Sequence, residues 1–167
     1  MELLGAVLLL AATLATGLVA GVFALYQHTV MPGLGRTDDR TFVAAFAAVD
    51  RAIINPWFIG GGFLGAPLLM MAAAVANREA NVLVWIVAAL ASYVVAAVIT
   101  VVVNVPLNDA LKAAGLPEAQ SEVSAVRARF DEARWQRWNL VRVLTTLVSF
   151  AALAWALVEY GAAGVSR

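Results

Sequence analysis

Apolar positions gather along this chain into four long runs, separated by polar stretches of unequal length. The first run, Leu3 to Tyr26, carries no charge and exceeds the roughly 20 apolar residues needed to cross a hydrocarbon core. The others lie at about 56–76, 82–103 and 139–160. About thirty residues separate the first two runs and about thirty-five the last two, but the second and third are joined only by a few residues around NREAN. This pattern predicts an all-α fold: one transmembrane domain over 1–167, an integral membrane antiparallel four-helix bundle with both long connections on one side. The first run is longer than a signal-peptide core and is preceded by Glu2 without a positive region, so it reads as a retained span.

Each long connection has a helical pattern of its own. Over about 38–54, Phe42, Phe46, Val49 and Ile53 recur at helical spacing, Thr37 or Asp38 suits the cap, and Arg40 and Arg51 fall opposite. Over about 117–138, Pro117 suits a first helical position and Val123, Val126 and Phe130 mark one face; that helix is expected to run unbroken into the fourth span. Amphipathic helices in both connections, lying along the membrane or over the bundle end, complete the architecture.

Composition narrows the chemistry. Hydrophobic residues make up 63% of the chain and the mean hydropathy is +0.86, well above soluble averages. With no cysteine and a single histidine, thiolate chemistry is excluded and no metal site is expected. Eleven basic and eleven acidic residues cancel and form no basic stripe, so nucleic acid is not an expected partner. Gly60, Gly61, Gly62 and Gly65 lie inside an apolar run and match no phosphate-binding fingerprint. Arg36, Arg40, Arg51, Lys112, Arg127, Arg129, Arg134 and Arg137 all fall in or beside the long connections. The positive-inside rule therefore makes those connections cytoplasmic and both termini external, in a plasma membrane.

Polar side chains within lipid are costly, which makes them informative. In helical projection Gly17, Gly21 and His28 share a face of about 40 degrees, and the glycine pair marks that face as inward. His28 then sits at the bundle mouth, or else at the headgroup level. Asn55 opens the second span in NPW and Asn104 and Asn108 flank Pro106 at the end of the third; each fits either a site or helix capping. On a continuous fourth helix Asp131, Trp135, Trp138, Arg142, Thr146 and Ser149 fall within about 90 degrees, with Asn139 beside them. The alternative for that stripe is an interfacial aromatic belt with a snorkelling arginine. His28, Asn55, Asn104, Asn108 and the stretch from Trp135 to Arg142 all belong to the end that bears the long connections, which predicts a polar pocket there.

The segments VMPGL (30–34), DDRTFVAAF (38–46), RAIINPWF (51–58), NVPLNDAL (104–111) and RWQRWNLVR (134–142) together resemble a family of small four-helix membrane proteins that includes the fungal anthrone oxygenases. The similarity covers nearly the whole chain. It implies oxidation of a polycyclic anthrone to the anthraquinone by dioxygen as co-substrate, with no cofactor. Such chemistry needs a base, an oxyanion stabiliser and a flat apolar slot. His28 is the candidate base, Arg142 with Asn104, Asn108 or Asn139 the candidate oxyanion group, and Trp135 and Trp138 the stacking walls. Asn55 completes the candidate ligand-binding set. Besides the bilayer, the expected partner is a hydrophobic small molecule, and the glycine faces leave room for a homo-oligomer. A non-catalytic binder of a hydrophobic ligand or lipid, and a structural subunit of a larger membrane complex, are the competing readings.

Overall fold

A computed structural model describes residues 2–165, with side chains described for 3–163. Eight α-helices follow in order: α1 (Glu2–Leu25), α2 (Met31–Leu34), α3 (Asp39–Ile53), α4 (Gly65–Ala76), α5 (Leu83–Ile99), α6 (Val105–Ala114), α7 (Gln120–Phe130) and α8 (Glu132–Val165). Three wider π-helical turns are interposed: Tyr26–Val30 joins α1 to α2, Trp57–Phe63 precedes α4, and Thr100–Asn104 joins α5 to α6. Four helical runs are long and apolar enough to cross a membrane, at Leu3–Leu34, Trp57–Ala76, Leu83–Ala114 and within Gln120–Ala163. The protein is an all-α integral membrane bundle in which α1 packs on α8 and α4, and α5 on the same two helices.

Two cores are stacked along the bundle axis. Leu9, Val19, Phe23, Met70, Ile86, Tyr93 and Leu153 belong to the core between the spans. Apolar burial is a weak force inside lipid, so small residues that permit close approach matter more there; Ala12, Ala66, Ala73, Ala89 and Ala156 are all fully buried. The second core, with Phe42, Phe46, Leu111, Val123, Phe130 and Trp135, lies where α3, α6 and α7 cap one end of the bundle. Burial of each large side chain there contributes about 1.5–3 kcal/mol. Arg127 ties this cap down: it donates to the carbonyls of Gly35 and Thr37, pairs with Asp39 and Glu132, and lies over the Phe42 ring.

The π turns follow from proline. A proline lacks the N–H that would bond the carbonyl four residues back, and its ring crowds that carbonyl. Pro32 and Pro106 each sit just after a residue bonded five positions back, Met31 to Tyr26 and Val105 to Thr100. Leu64 makes the same bond to Ile59, three residues before Pro67. Pro67 also frees the Phe63 carbonyl, which instead accepts the Tyr93 hydroxyl at 2.8 Å. All three widened turns occur at the capped end.

Several expectations are revised. Helix α7 begins at Gln120, not at Pro117, whose carbonyl accepts Arg40 at 2.9 Å. Nor does the helix run unbroken into the fourth span. Asp131 adopts a left-handed conformation (φ 53°), which ends α7, and its Oδ1 accepts the Arg134 amide to start α8. On α1 the inward stripe is Leu9, Ala12, Thr16, Val19 and Phe23; Gly21 faces outward, and Gly17 lies against Phe150. The small alanines and threonines of that stripe supply the close approach that the glycines were expected to supply. In α3, Phe42 and Phe46 are buried but Val49 is exposed, because the buried face turns through Val43 and Ala47 to Asp50. Asp38 provides the cap, accepting the Thr41 amide at 3.0 Å.

Candidate functional site

Where the two cores meet, the packing leaves a cavity of about 260 Å³. Its apolar walls include Val22 and Phe23 from α1, Ile53 from α3, Phe58 and Ile59 from the second π turn, and Val101 from the third. Two polar groups of side chains interrupt them.

The first is centred on Arg142. Its guanidinium is buried at 5% exposure, donates to Asn139 Oδ1 at 2.6 Å and Thr100 Oγ1 at 3.2 Å, and lies over the Phe23 ring at 4.2 Å and the Trp135 ring at 5.4 Å. Asn139 is itself fixed, donating to the Phe23 carbonyl at 3.1 Å and Gln27 Oε1 at 2.8 Å. Among the described residues Arg142 forms no ion pair, and its Nε has no acceptor. Asn104 donates to the Trp135 carbonyl at 3.3 Å, which leaves its own buried Oδ1 without a donor. A desolvated guanidinium costs several kcal/mol when unpaired. Two neutral acceptors and two ring faces offset part of that cost, at about 2 kcal/mol for a desolvated cation–π contact.

The second group is centred on Asp50, buried on α3. Asn108 Nδ2 donates to its Oδ1 at 2.6 Å, and Lys112 Nζ stands 2.6 Å from its Oδ2. That second oxygen receives no well-directed hydrogen bond, so its compensation is mainly the ammonium charge. Lys112 also reaches Asp109, whose side chain is 61% exposed at the outer edge. Asn108 Oδ1 accepts Trp135 Nε1 at 2.8 Å, which links the carboxylate group to the indole under Arg142. Tyr26 lines the cavity as well and packs its ring 5.9 Å from that of Trp135.

Of the residues singled out from sequence, Arg142, Asn104, Asn108 and Trp135 line the cavity, and Asn139 holds Arg142 from behind. Three others lie apart. Asn55 is consumed in capping: it accepts the Phe58 amide at 2.9 Å and donates to the Ala52 carbonyl. Trp138 is 40% exposed, about 60 degrees around α8 from Trp135, where a bulky indole passes the edge of the packed stripe. His28, within the first π turn, is exposed like Gly21, whose face was expected to point inward, and is hydrogen-bonded through Nδ1 to Thr29 at 2.6 Å.

Sequence reasoning missed Asp50, Lys112 and Tyr26. The signal for Asp50 was present, since it lies four residues after Phe46 on the same helical face. Among the described residues no cluster of three or more potential metal-ligating side chains occurs.

The model of the family described as anthrone oxygenase matches residues 54–152, more than half of the chain. The matched segment contains Asn104, Asn108, Trp135, Asn139 and Arg142 and stops short of Asp50 and His28. No curated protein and no solved structure matches this chain.

Proposed function

We propose, since this chain belongs to the anthrone oxygenase family, that the cavity binds a lipophilic anthrone- or quinone-like aromatic and promotes its oxidation by dioxygen. The observation that carries this reading is Arg142, a buried cation with no carboxylate partner among the described residues, beside an apolar cavity. A ligand oxygen that gains negative charge during reaction would supply the missing partner, and a fixed donor facing such an oxygen lowers the barrier to its formation.

An anthrone is a carbon acid. Removal of a methylene proton gives an enolate, whose negative oxygen suits Arg142 and whose flat rings suit Phe23, Phe58 and Trp135. The enolate is itself the reductant of dioxygen, so the chain's own work is to bind, to stabilise charge and to exclude water. Asn139 and Thr100 orient Arg142, and Asn108 holds Trp135. The cationic side chains of the cap, among them Arg40, Arg51 and Arg127, support its lying on the cytoplasmic side.

The test is turnover of anthrone under oxygen by the purified protein in detergent, followed as quinone absorbance, for wild type, Arg142→Lys and Arg142→Met. Wild type accelerates the spontaneous oxidation, and Arg142→Met loses about 10²–10³ of kcat, the scale for removing one oxyanion donor. Arg142→Lys keeps the charge but not the fork that reaches both Asn139 and Thr100, and falls between them. No acceleration by wild type would remove the oxygenase reading; quinone binding without turnover would make the protein a binder of such compounds.

A further inference from the structure

We infer that Asp50 is the proton acceptor of this cavity, acting on the same ligand as Arg142. This inference rests on the oxygenase reading above. Asp50 occupies an otherwise apolar face of α3 together with Phe42, Val43, Phe46 and Ala47, and it lines the cavity. A buried ion pair is a poor source of stability, because desolvation consumes most of the attraction. Packing alone therefore gives little reason to place a carboxylate there.

The arrangement fits a base. One carboxylate oxygen is fixed by Asn108, and the ammonium of Lys112 stands beside the other. The charged or titratable groups around it are Lys112 and, behind that, Asp109 from α6, with Tyr26 and Arg142 lining the same cavity. Helix α7 meets α3 at its other end, where Ser124 and Arg127 engage Asp39. A carboxylate and an oxyanion donor lining one apolar slot are the pair of groups that enolises carbon acids. His28, exposed on the first π turn, faces none of this.

The carboxylate acts twice on one carbon. It first removes a methylene proton, and the C–H electron pair becomes the enolate held by Arg142. The enolate passes one electron to dioxygen, the radical pair closes a C–O bond, and the peroxide takes the proton back from Asp50. The carboxylate then removes the remaining hydrogen from that carbon; the electron pair forms the new C=O as the O–O bond breaks. The departing hydroxide takes the proton and leaves as water. Anthrone and one dioxygen become anthraquinone and one water, with Asp50 restored.

The experiment compares the full chain as wild type, Asp50→Asn, Asp50→Glu and His28→Ala, using anthrone and anthrone deuterated at the methylene; anthraquinone binding is read by tryptophan quenching. The expected result is a loss of about 10²-fold or more in kcat for Asp50→Asn, with quinone binding within about threefold of wild type. Asp50→Glu keeps a reduced rate and a primary isotope effect. If wild type accelerates the oxidation and Asp50→Asn matches it, the inference falls and the oxygenase reading stands; if wild type shows no acceleration, both fall. Parallel loss of binding and rate in Asp50→Asn, or loss of rate in His28→Ala alone, overturns the role of Asp50. Should Asp50→Asn fail to fold, Asp50→Glu decides, since an unchanged kcat after displacing the carboxylate by one methylene overturns the inference.

Discussion

Replacement of Asn139 by leucine tests how the buried guanidinium is held. Asn139 is fully buried, and its amide joins Arg142 Nη2 at 2.6 Å to the Phe23 carbonyl and Gln27 Oε1. Leucine fills a similar volume but makes none of these bonds. Side-chain hydrogen bonds between membrane helices contribute about 0.6 kcal/mol on average and about 1.7 at most in measured cases. Hydrogen bonds to charged groups contribute about 1.5–3 kcal/mol, and a charge left buried and unpaired costs more. The charged scale governs here, because Arg142 forms no ion pair among the described residues and Thr100 would be its last protein acceptor. Asn139→Leu should therefore destabilise the protein by about 2–4 kcal/mol. The assay is equilibrium unfolding in mixed micelles, followed by tryptophan fluorescence, with Arg142→Met and the double variant completing a cycle. Once the charge is gone, Asn139→Leu should cost much less, giving a coupling of about 1.5–3 kcal/mol. A coupling below about 0.5 kcal/mol, within the scatter of independent sites, would refute the claim that the amide's main role is to hold the guanidinium.

Tyr93→Phe should cost about 1–3 kcal/mol by orphaning the half-buried Phe63 carbonyl, and Pro67→Ala should recover part of it by restoring an N–H; unfolding of the single and double variants checks this. Gly65→Ala should destabilise by about 1–3 kcal/mol, because its methyl would stand 2.6 Å from the Gly60 carbonyl, whereas Gly21→Ala, which meets open space, should change little; comparison of the two melting curves is the measurement. The Thr41 hydroxyl and amide hold Asp38 below its ordinary value of 3.8. A carboxyl lowered by folding stabilises the first turn of α3 above its unfolded value and loses that effect as pH falls through the folded one. Protection of the Thr41 amide, relative to the intrinsic exchange rate at each pH, should thus fall on acidification in the wild type and respond far less in Asp38→Asn.

Much of what could be read from the sequence rests on helices that stay regular. The four runs, the buried faces of Phe42, Phe46, Val123, Val126 and Phe130, and the stripe of Trp135, Asn139 and Arg142 all follow from a constant 3.6-residue period, and they lie in regular helix. His28 does share the outward face of Gly21, and what misplaced it was reading the glycine face of α1 as inward when the alanines and threonines supply the close approach. The π turns were encoded as well: Pro32, Pro67 and Pro106 each deny the backbone a bond four residues back. Asp50 escaped for a different reason. An acidic residue in a polar connection reads as solvated by its type even on the buried face, and the partners that hold it there, Asn108 and Lys112 on α6, are a tertiary contact that no single-helix pattern contains.

The placement of those prolines bears on why the site lies where it does. A regular antiparallel bundle closes its ends with side chains, as the far end does when Trp85 and Trp155 converge on Glu159 and Asn77 bonds the Gly5 carbonyl. At the capped end, three of the four spans instead carry a π turn. Each turn is wider than an α turn and prevents tight interdigitation at that level, and π turns are frequent at functional sites for this reason. Val101 and Asn104, Phe58 and Ile59, and Tyr26 all reach the cavity from these turns, while Arg142 and Trp135 enter from the one span that stays regular. Rigid α8 thus presents the charged group at a fixed position, and the proline-widened turns supply the space opposite. Straightening one of them by Pro106→Ala should shrink the cavity and weaken anthraquinone binding while raising the melting temperature, because tighter α-helical packing replaces the void. Weaker binding together with a lower melting temperature would mean that the proline supports the fold itself rather than the space beside Arg142.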